Sequence, residues 1–172
     1  MPKWNEVRLE DVEIDPGKGR TRPRFHLPDG PLKFQLPRGV CTWGVSPEYK
    51  TFQVSIQDEA FVKWYESLEK KLCSDSPFHS NLKDGSMRLK VDEGTLFFKS
   101  DGSLLVDGPD RMKGADVSCI MEIPSSWFFQ EKYGLTCRAA QVRIWSGAAP
   151  SAEPFGSPVG SPVPRRLLLD DE

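Results

Sequence analysis

Short segments in which apolar and polar residues alternate recur through the middle of this chain of 172 residues. The segment from Thr51 to Gln57 carries apolar side chains at every second position, and the segment from Met87 to Val91 repeats the pattern. Successive side chains of a β-strand point to opposite faces, so a period of two is typical of strands with one buried face. The alternation therefore predicts a fold built mainly from β-strands.

Further strands and a hairpin are indicated after residue 95. Phe97 and Phe98 precede the pair Asp101-Gly102, and another apolar run, 104–106, follows it. Asp-Gly between two apolar runs is a strong hairpin signal, because the turn needs residues that tolerate positive φ. Residues 117–123 and 134–145 supply two more predicted strands.

A single helix interrupts the strands. Asp58 is a suitable N-cap, and the apolar residues that follow it recur at helical spacing. These residues are Phe61, Trp64, Tyr65, Leu68 and Leu72. Several short strands with one helix near the middle indicate a small barrel, and an OB-type barrel places a helix between its third and fourth strands. The predicted fold class is mainly β: an OB-fold-like small barrel with one inserted helix over about residues 58–73, followed by a disordered C-terminal tail.

The ends of the chain differ from this predicted barrel, which spans residues 33–147. Residues 1–32 are polar and rich in Pro, Gly and Arg, so we expect an irregular basic arm. Its basic residues Lys18, Arg20, Arg22 and Arg24 alternate along the chain. Two interpretations stay open: the cluster neutralises phosphates, or it keeps a loop in water.

Residues 148–172 are expected to form a flexible tether with a leucine-rich acidic tip. Residues 148–164 are almost entirely Pro, Gly, Ser, Ala and Val, a composition that buries too little apolar surface to order itself. The tip is either a docking peptide or a frayed terminus without a role. It consists of Leu167, Leu168, Leu169, Asp170, Asp171 and Glu172.

The stretch from Trp127 to Trp145 combines aromatic and basic residues. On a strand, Ala140, Val142 and Ile144 share an apolar face, while Gln141, Arg143 and Trp145 share the opposite one. That second face offers a flat ring, a cation and an amide to the outside. Rings that stack bases and cations that follow phosphates are the chemistry of single-strand binding. The alternative is that the rings belong to the core and Arg143 is solvated.

Composition excludes several classes of function. The 23 basic residues balance 25 acidic ones, which argues against a polybasic duplex-binding protein. The four cysteines and two histidines form no closely spaced ligand pairs, so we expect no metal site and no cofactor. No phosphate-loop, dinucleotide or nucleophile-elbow motif occurs, so we expect that the protein is not an enzyme. No apolar stretch approaches the about 20 residues of a membrane span, and we expect a soluble intracellular protein.

Three groups of residues resemble one family. Leu36-Pro37-Arg38-Gly39 precedes Trp43-Gly44-Val45, the strand 49–56 leads into 61–68, and Lys132-Tyr133-Gly134-Leu135 is followed by Gln141-Val142. With an aromatic and basic final strand before an acidic tail, residues 33–146 resemble the viral single-stranded-DNA-binding proteins typified by the podophage replication protein. That family has relatives in large DNA viruses of algae and protists.

The resemblance implies an OB barrel that binds and protects single strands during replication or recombination, without catalysis. It also implies an acidic tail that recruits replication partners and competes with DNA for the groove. Here Arg165 and Arg166 precede the three acidic residues of the tip, which departs from that pattern.

We therefore predict binding of single-stranded DNA without strong sequence preference, at a site of viral or host DNA replication. A DNA polymerase or another replication protein is the expected partner of the tail. A second copy of the chain, in a homodimer, is a further candidate partner. The alternative is a non-catalytic protein–protein interaction module built on a small β-barrel. The predicted DNA-binding residues are Trp145, Arg143, Arg138, Lys132 and Tyr133, with Arg88, Lys90, Trp43 and Lys50 as second choices.

Overall fold

The computed structural model describes residues 1–19, 21–46, 48–106, 112–146 and 168–169. Strands dominate this part of the chain, which contains one α-helix, α1 (Glu59–Leu72), and two short 3-10 turns, Trp4–Glu6 and Leu9–Asp11. The strands are β1 (Glu13–Asp15), β2 (Arg24–Leu27), β3 (Gly30–Pro31), β4 (Lys33–Gln35), β5 (Gly39–Trp43), β6 (Thr51–Ser55), β7 (Phe78–His79), β8 (Leu82–Lys83), β9 (Ser86–Lys90), β10 (Leu96–Phe98), β11 (Asp116–Phe129) and β12 (Lys132–Ser146).

Five strands form a closed ring in the order β5, β6, β9, β12, β11 and back to β5. All contacts in the ring are antiparallel except one, where Lys90 of β9 lies beside Arg138 of β12 in a parallel bridge. The mainly β, OB-like fold predicted from the sequence is confirmed. The helix, however, lies between the second and third strands of the ring, β6 and β9, not between the third and fourth. The strands before β5 pair on the flank of β11 or with each other, outside the ring.

Helix α1 forms as its sequence pattern predicts. The Asp58 side chain accepts a hydrogen bond from the Phe61 backbone N–H at 3.0 Å, which satisfies one of the unpaired donors of the first turn. The residues at helical spacing face the core, and Tyr65 and Leu68 are fully buried. The helix packs against Phe34 of β4, whose ring meets Trp64 edge-on with centroids 5.1 Å apart.

The long hairpin of β11 and β12 turns at Gln130 and Glu131, which both have positive φ, as a two-residue hairpin turn requires. The pairing of Ile120 with Gln141 and of Met121 with Ala139 leaves Ala140 as an extra residue in β12. This β-bulge interrupts the alternation predicted for the strand. Val142 lies in the main core as predicted, but Ala140 packs with Ile120 in a separate cluster.

The first 32 residues differ from the expected irregular arm. They contain β1, β2 and β3, and Val7, Val12, Phe25 and Leu32 are buried in the main core. The apolar residues of this segment are too widely spaced to show a period, and contact with strands distant in sequence orders them. Lys18, Arg22 and Arg24 of the predicted basic cluster are exposed, and Arg20 lies outside the described residues.

Most of the predicted tether, residues 148–172, lies outside the described residues, with the exception of Leu168 and Leu169. The four cysteines are not joined by disulfides. In the part of the chain that the structure describes, the helices are too short or too polar to cross a membrane.

Candidate nucleic-acid interface

The outer surfaces of β5, β6 and β9 form one continuous face. Their inward side chains, among them Phe52 and Leu89, fill the core, so the intervening residues point outward. The register places Trp43 opposite Gln53, Gln53 opposite Arg88, and Thr51 opposite Lys90. We call this the β5–β6–β9 face, defined by Trp43, Thr51, Gln53, Arg88 and Lys90.

Two aromatic rings stand out from this face. Trp43 is 59% exposed, and Tyr49, in the loop between β5 and β6, is 69% exposed. Both line one open depression of about 490 Å³, together with Gln53 and Arg88. The Lys113 ammonium lies 4.4 Å from the centroid of the Trp43 ring, a cation–π contact that leaves most of the ring accessible. The depression therefore combines two accessible rings with cations, as single-strand binding requires.

The loop that carries Tyr49 is held by hydrogen bonds to Ser46. The Ser46 hydroxyl accepts from the Tyr49 backbone N–H at 3.2 Å, and its carbonyl accepts from the Lys50 N–H at 2.8 Å. The Ser46 N–H in turn donates to the Thr51 carbonyl at 2.9 Å. These bonds position Tyr49 before any ligand arrives.

A second open groove, of about 970 Å³, adjoins the depression and shares Val45 and Ser46 with it. Lys50, Lys90 and Arg138 line it together with Asp92 and Glu93. The charges in this groove are therefore mixed, in contrast to the depression, whose lining residues include no acid.

Arg138, a predicted DNA-binding residue, lies in an ion cluster. Its guanidinium makes two hydrogen bonds of 2.8 Å to Asp92 and one of 2.7 Å to Glu122. The hydrogen bond from Arg138 lowers the pKa of the Asp92 carboxyl to about 2, and the bond to Asp92 raises the pKa of the guanidinium. Two carboxylates thus compensate its charge, and the cluster ties β11, β12 and the loop after β9 together.

Arg143 and Trp145 contact each other at the far end of β12. Arg143 is only 8% exposed and donates to the Ser100 carbonyl at 2.6 Å, while its guanidinium lies 4.0 Å from the centroid of the Trp145 ring. The Arg38 guanidinium approaches the same ring at 4.7 Å, and the Trp145 indole N–H donates to the Ser118 hydroxyl at 2.7 Å. This side of β12 is therefore not the open platform that the alternation predicts.

Lys132 and Tyr133 lie at the tip of the β11–β12 hairpin. The Tyr133 ring packs against Phe128 with centroids 4.7 Å apart, and Phe128 and Phe129 are exposed. Arg138 lies five positions after Tyr133 along β12, which corresponds to roughly 17 Å. The structure thus separates the first-choice residues, whereas the second choices Trp43, Arg88, Lys90 and Lys50 line two adjoining depressions.

The C-terminal segment contacts the outer side of β11 and β12. The Leu168 backbone N–H donates to the Gln141 side-chain oxygen at 2.9 Å. Leu169 is 6% exposed and packs with Ile120 and the bulged Ala140. The other predicted tip residues, Leu167, Asp170, Asp171 and Glu172, lie outside the described residues.

A buried polar cluster behind β9 has no counterpart in the sequence analysis. Burial raises the pKa of the Glu69 carboxyl to about 7, against the opposing effect of a hydrogen bond from Ser80. The nearby Tyr65 hydroxyl donates to the Asn81 side-chain oxygen at 2.5 Å and contacts the Cys137 sulfur at 3.3 Å. Asn81 also donates to the Arg88 carbonyl at 3.1 Å, so this cluster supports the strand that carries Arg88.

The sequence analysis also missed Tyr49, Gln53 and Lys113 as candidate binding residues. The alternation around Phe52 already placed Gln53 on the outer face, whereas no local pattern marks Lys113, which reaches Trp43 only through the fold. Among the described residues, no group of three or more His, Cys, Asp or Glu side chains is arranged to hold a metal ion.

Comparison with known proteins gives structural likeness alone. No protein-family model and no curated protein sequence matches the chain. A solved structure of the single-stranded DNA-binding protein from bacteriophage Enc34 has a TM-score of 0.54 and 11% identity, over 86% of this chain and 96% of that one. Its C-terminal truncation gives a TM-score of 0.55 and 13% identity, over 82% and 98%.

The same phage protein in complex with ssDNA gives a TM-score of 0.53 and 12% identity, over 84% of this chain and 99% of that one. At these identities the likeness shows a shared fold. It extends over almost the whole of each phage chain. None of the three structures comes from a large DNA virus of algae or protists.

Proposed function

We propose that this protein binds single-stranded DNA on the β5–β6–β9 face. The observation that carries the proposal is the pair of largely exposed rings, Trp43 and Tyr49, lining one depression with Arg88. Lys50 and Lys90 line the adjoining groove, so cations continue along the same path. The solved structures that share the fold are named single-stranded DNA-binding proteins, and one contains ssDNA. Those names support the proposal.

The expected mechanism is base stacking combined with phosphate neutralisation. A base stacked on an aromatic ring contributes about 1–3 kcal/mol, whichever base it is. Unpaired bases expose the faces that Trp43 and Tyr49 need, whereas a duplex keeps them stacked on each other. Arg88, Lys50 and Lys90 would then follow the backbone, and binding would prefer single strands and largely tolerate changes of sequence.

Arg138, Arg143 and Trp145 have a different part in this proposal. Arg138 fixes the floor of the second groove, and Arg143 and Trp145 hold one end of β12. Lys132 and Tyr133 remain predicted contacts for a longer strand that reaches the hairpin tip. No catalytic step is proposed.

We propose that the protein acts inside a cell, where it supports DNA replication or recombination. The tail would then recruit a polymerase or another replication protein. One observation favours the alternative, a protein–protein interaction module: a leucine-containing peptide, the chain's own Leu168 and Leu169, already lies on the outer side of β11 and β12. A homodimer stays a prediction.

Titration of the purified full chain with fluorescently labelled oligo-dT and a matched duplex tests the proposal. We expect tighter binding of oligo-dT, and a clear loss of affinity for Trp43→Ala and Tyr49→Ala. With an oligonucleotide too short to reach the hairpin tip, Phe129→Ala is the matched control, because this ring is also exposed but lies away from the β5–β6–β9 face. Equal affinity for both DNA forms, or equal effects of all three variants, would contradict the proposal.

A further inference from the structure

We infer that the depression between Trp43 and Tyr49 is a base-reading subsite that favours guanine at one position of the bound strand. This inference rests on the proposed function and deepens it. Stacking on the rings would hold any base in the depression. The polar groups of the depression would bind some bases better than others.

The depression offers hydrogen-bond donors next to its rings. Gln53 and Arg88 are direct cross-strand neighbours, which places their Cβ atoms about 5 Å apart on the same face. The Gln53 side-chain oxygen accepts from the Ser86 hydroxyl at 3.4 Å. This contact turns the oxygen toward Ser86 and leaves the amide N–H groups for a ligand. Arg88 adds a planar fork of N–H donors.

No acid competes for these donors within the depression. Its lining residues are Trp43, Tyr49, Gln53 and Arg88 with Ser46, Thr51 and apolar neighbours, and they include neither Asp nor Glu. Within the part of the chain that the structure describes, Arg88 forms no salt bridge, in contrast to Arg138 with its two carboxylates. The charge of Arg88 is therefore available to an incoming base or phosphate.

The fork of an arginine selects a base edge that presents two adjacent acceptors. Guanine presents two adjacent acceptors, O6 and N7, which match the fork of an arginine. Adenine places an amino donor beside N7, which would set donor against donor. Unpaired cytosine also has two adjacent acceptors, O2 and N3, but its single ring stacks over less area than the double ring of guanine. Thymine has single acceptors and cannot engage the fork at two atoms. Stacked on Trp43 or Tyr49 with this edge toward Arg88 and Gln53, guanine places O6 and N7 against their donors and also has the larger stacking area.

Short thymidine oligonucleotides with one central guanine, adenine or cytosine provide the test, since a short strand can shift to place the odd base in the subsite. We expect the guanine-containing strand to bind the full chain about tenfold more tightly than the adenine-containing one. Arg88→Lys keeps the charge but removes the fork, so it should abolish the difference between the guanine- and adenine-containing strands. Gln53→Glu should move the preference toward bases that carry an amino group.

Arg22→Lys, the same exchange at an exposed arginine outside the face, is the control and should keep the guanine preference. Circular dichroism of each variant checks folding. Binding of oligo-dT without a guanine preference, or a preference that survives Arg88→Lys, would overturn the inference but leave the proposed function intact. Failure of the wild-type chain to bind oligo-dT would overturn both.

Discussion

Two tryptophans of this chain have opposite environments, and substitution should separate their roles. Trp43 is exposed and contacts Lys113, so Trp43→Ala should weaken oligo-dT binding by about 5- to 150-fold through lost stacking, with little change in thermal stability.

Trp145 is held by Arg38, Arg143 and a hydrogen bond to Ser118. Trp145→Ala should instead lower the free energy of unfolding by about 2 kcal/mol. Titration and thermal melts on both variants check this; the reverse pattern would restore Trp145 as the platform.

Glu69 should make stability depend on pH. The residue is 6% exposed, and burial raises the pKa of its carboxyl from 4.5 to about 7. The folded state therefore binds the proton more tightly than the unfolded state. Its stabilising contribution is complete below about pH 4.5 and is lost as the pH rises through about 7, with a magnitude on the order of 1–3 kcal/mol. Denaturant unfolding at pH 5 and pH 8 measures it.

Glu69→Gln should flatten the change in stability between pH 5 and pH 8, because the amide does not titrate. Glu59→Gln at the exposed start of the same helix is the matched control and should keep the wild-type dependence. If both variants behave alike, the pH dependence originates elsewhere.

At the level of elements, the Arg138 cluster joins two strands and a loop. Arg138→Ala removes the cation that Asp92 and Glu122 share, and it leaves the largely buried Glu122 with only the longer ion pair to Lys33, at 3.9 Å. We expect a loss of about 1–3 kcal/mol in the free energy of unfolding. Because the Asp92 pKa is lowered from 3.8 to about 2, its share of the stabilisation is present above pH 3.8 and is lost as the pH falls through 2. Normal stability with weakened DNA binding would instead show that Arg138 contacts phosphate.

Local patterns predicted the elements that local interactions determine. The Asp58 cap and the spacing of Phe61 and Leu68 defined α1, and alternation identified β6 and β9. The same alternation also placed Arg88 and Lys90 on an outer face. The order of these elements sufficed for an OB-like fold, because few architectures combine short strands with a single helix.

Other features depend on contacts between distant segments, which no local pattern encodes. The bulge at Ala140 shifts the alternation of β12, and its presence follows from pairing with β11. The carboxylates that bind Arg138, Asp92 and Glu122, are remote from it in sequence. The sequence therefore does not show that the charge of Arg138 is already compensated, and it predicts a phosphate contact instead. Residues such as Val7 and Phe25 became core for the same reason. The structure therefore favours the second-choice residues of the sequence analysis over the first-choice ones as the candidate binding site.

For the whole molecule, the small net charge does not show how many cations lie near the β5–β6–β9 face. The formal net charge is −2, yet Lys50, Arg88, Lys90 and Lys113 gather at the β5–β6–β9 face and its rim. If three or four of them neutralise phosphates, the logarithm of the association constant should fall with the logarithm of salt concentration with a slope of about −2 to −3. Titrations between low and moderate salt measure the slope. A slope near zero would mean that stacking acts without phosphate contacts.

The C-terminal segment should stabilise the fold more than it opposes DNA. Leu169 covers Ile120 and Ala140 on the outer side of β11 and β12, so deleting residues 165–172 should lower the free energy of unfolding by about 1–2 kcal/mol. The deleted residues carry two arginines and three acids, a net charge of −1. Removal of so little charge should raise oligo-dT affinity by less than about threefold.

Two point variants separate these effects in the full chain. Leu169→Ala should reproduce most of the stability loss, and Leu168→Ala is the matched control because that side chain is 45% exposed. Denaturant unfolding and oligo-dT titration on the deletion and both variants complete the test. An increase of tenfold or more in oligo-dT affinity on deletion would show that the acidic tip competes directly with DNA. Unchanged stability of Leu169→Ala would show that the contact of Leu169 with β11 and β12 does not stabilise the fold.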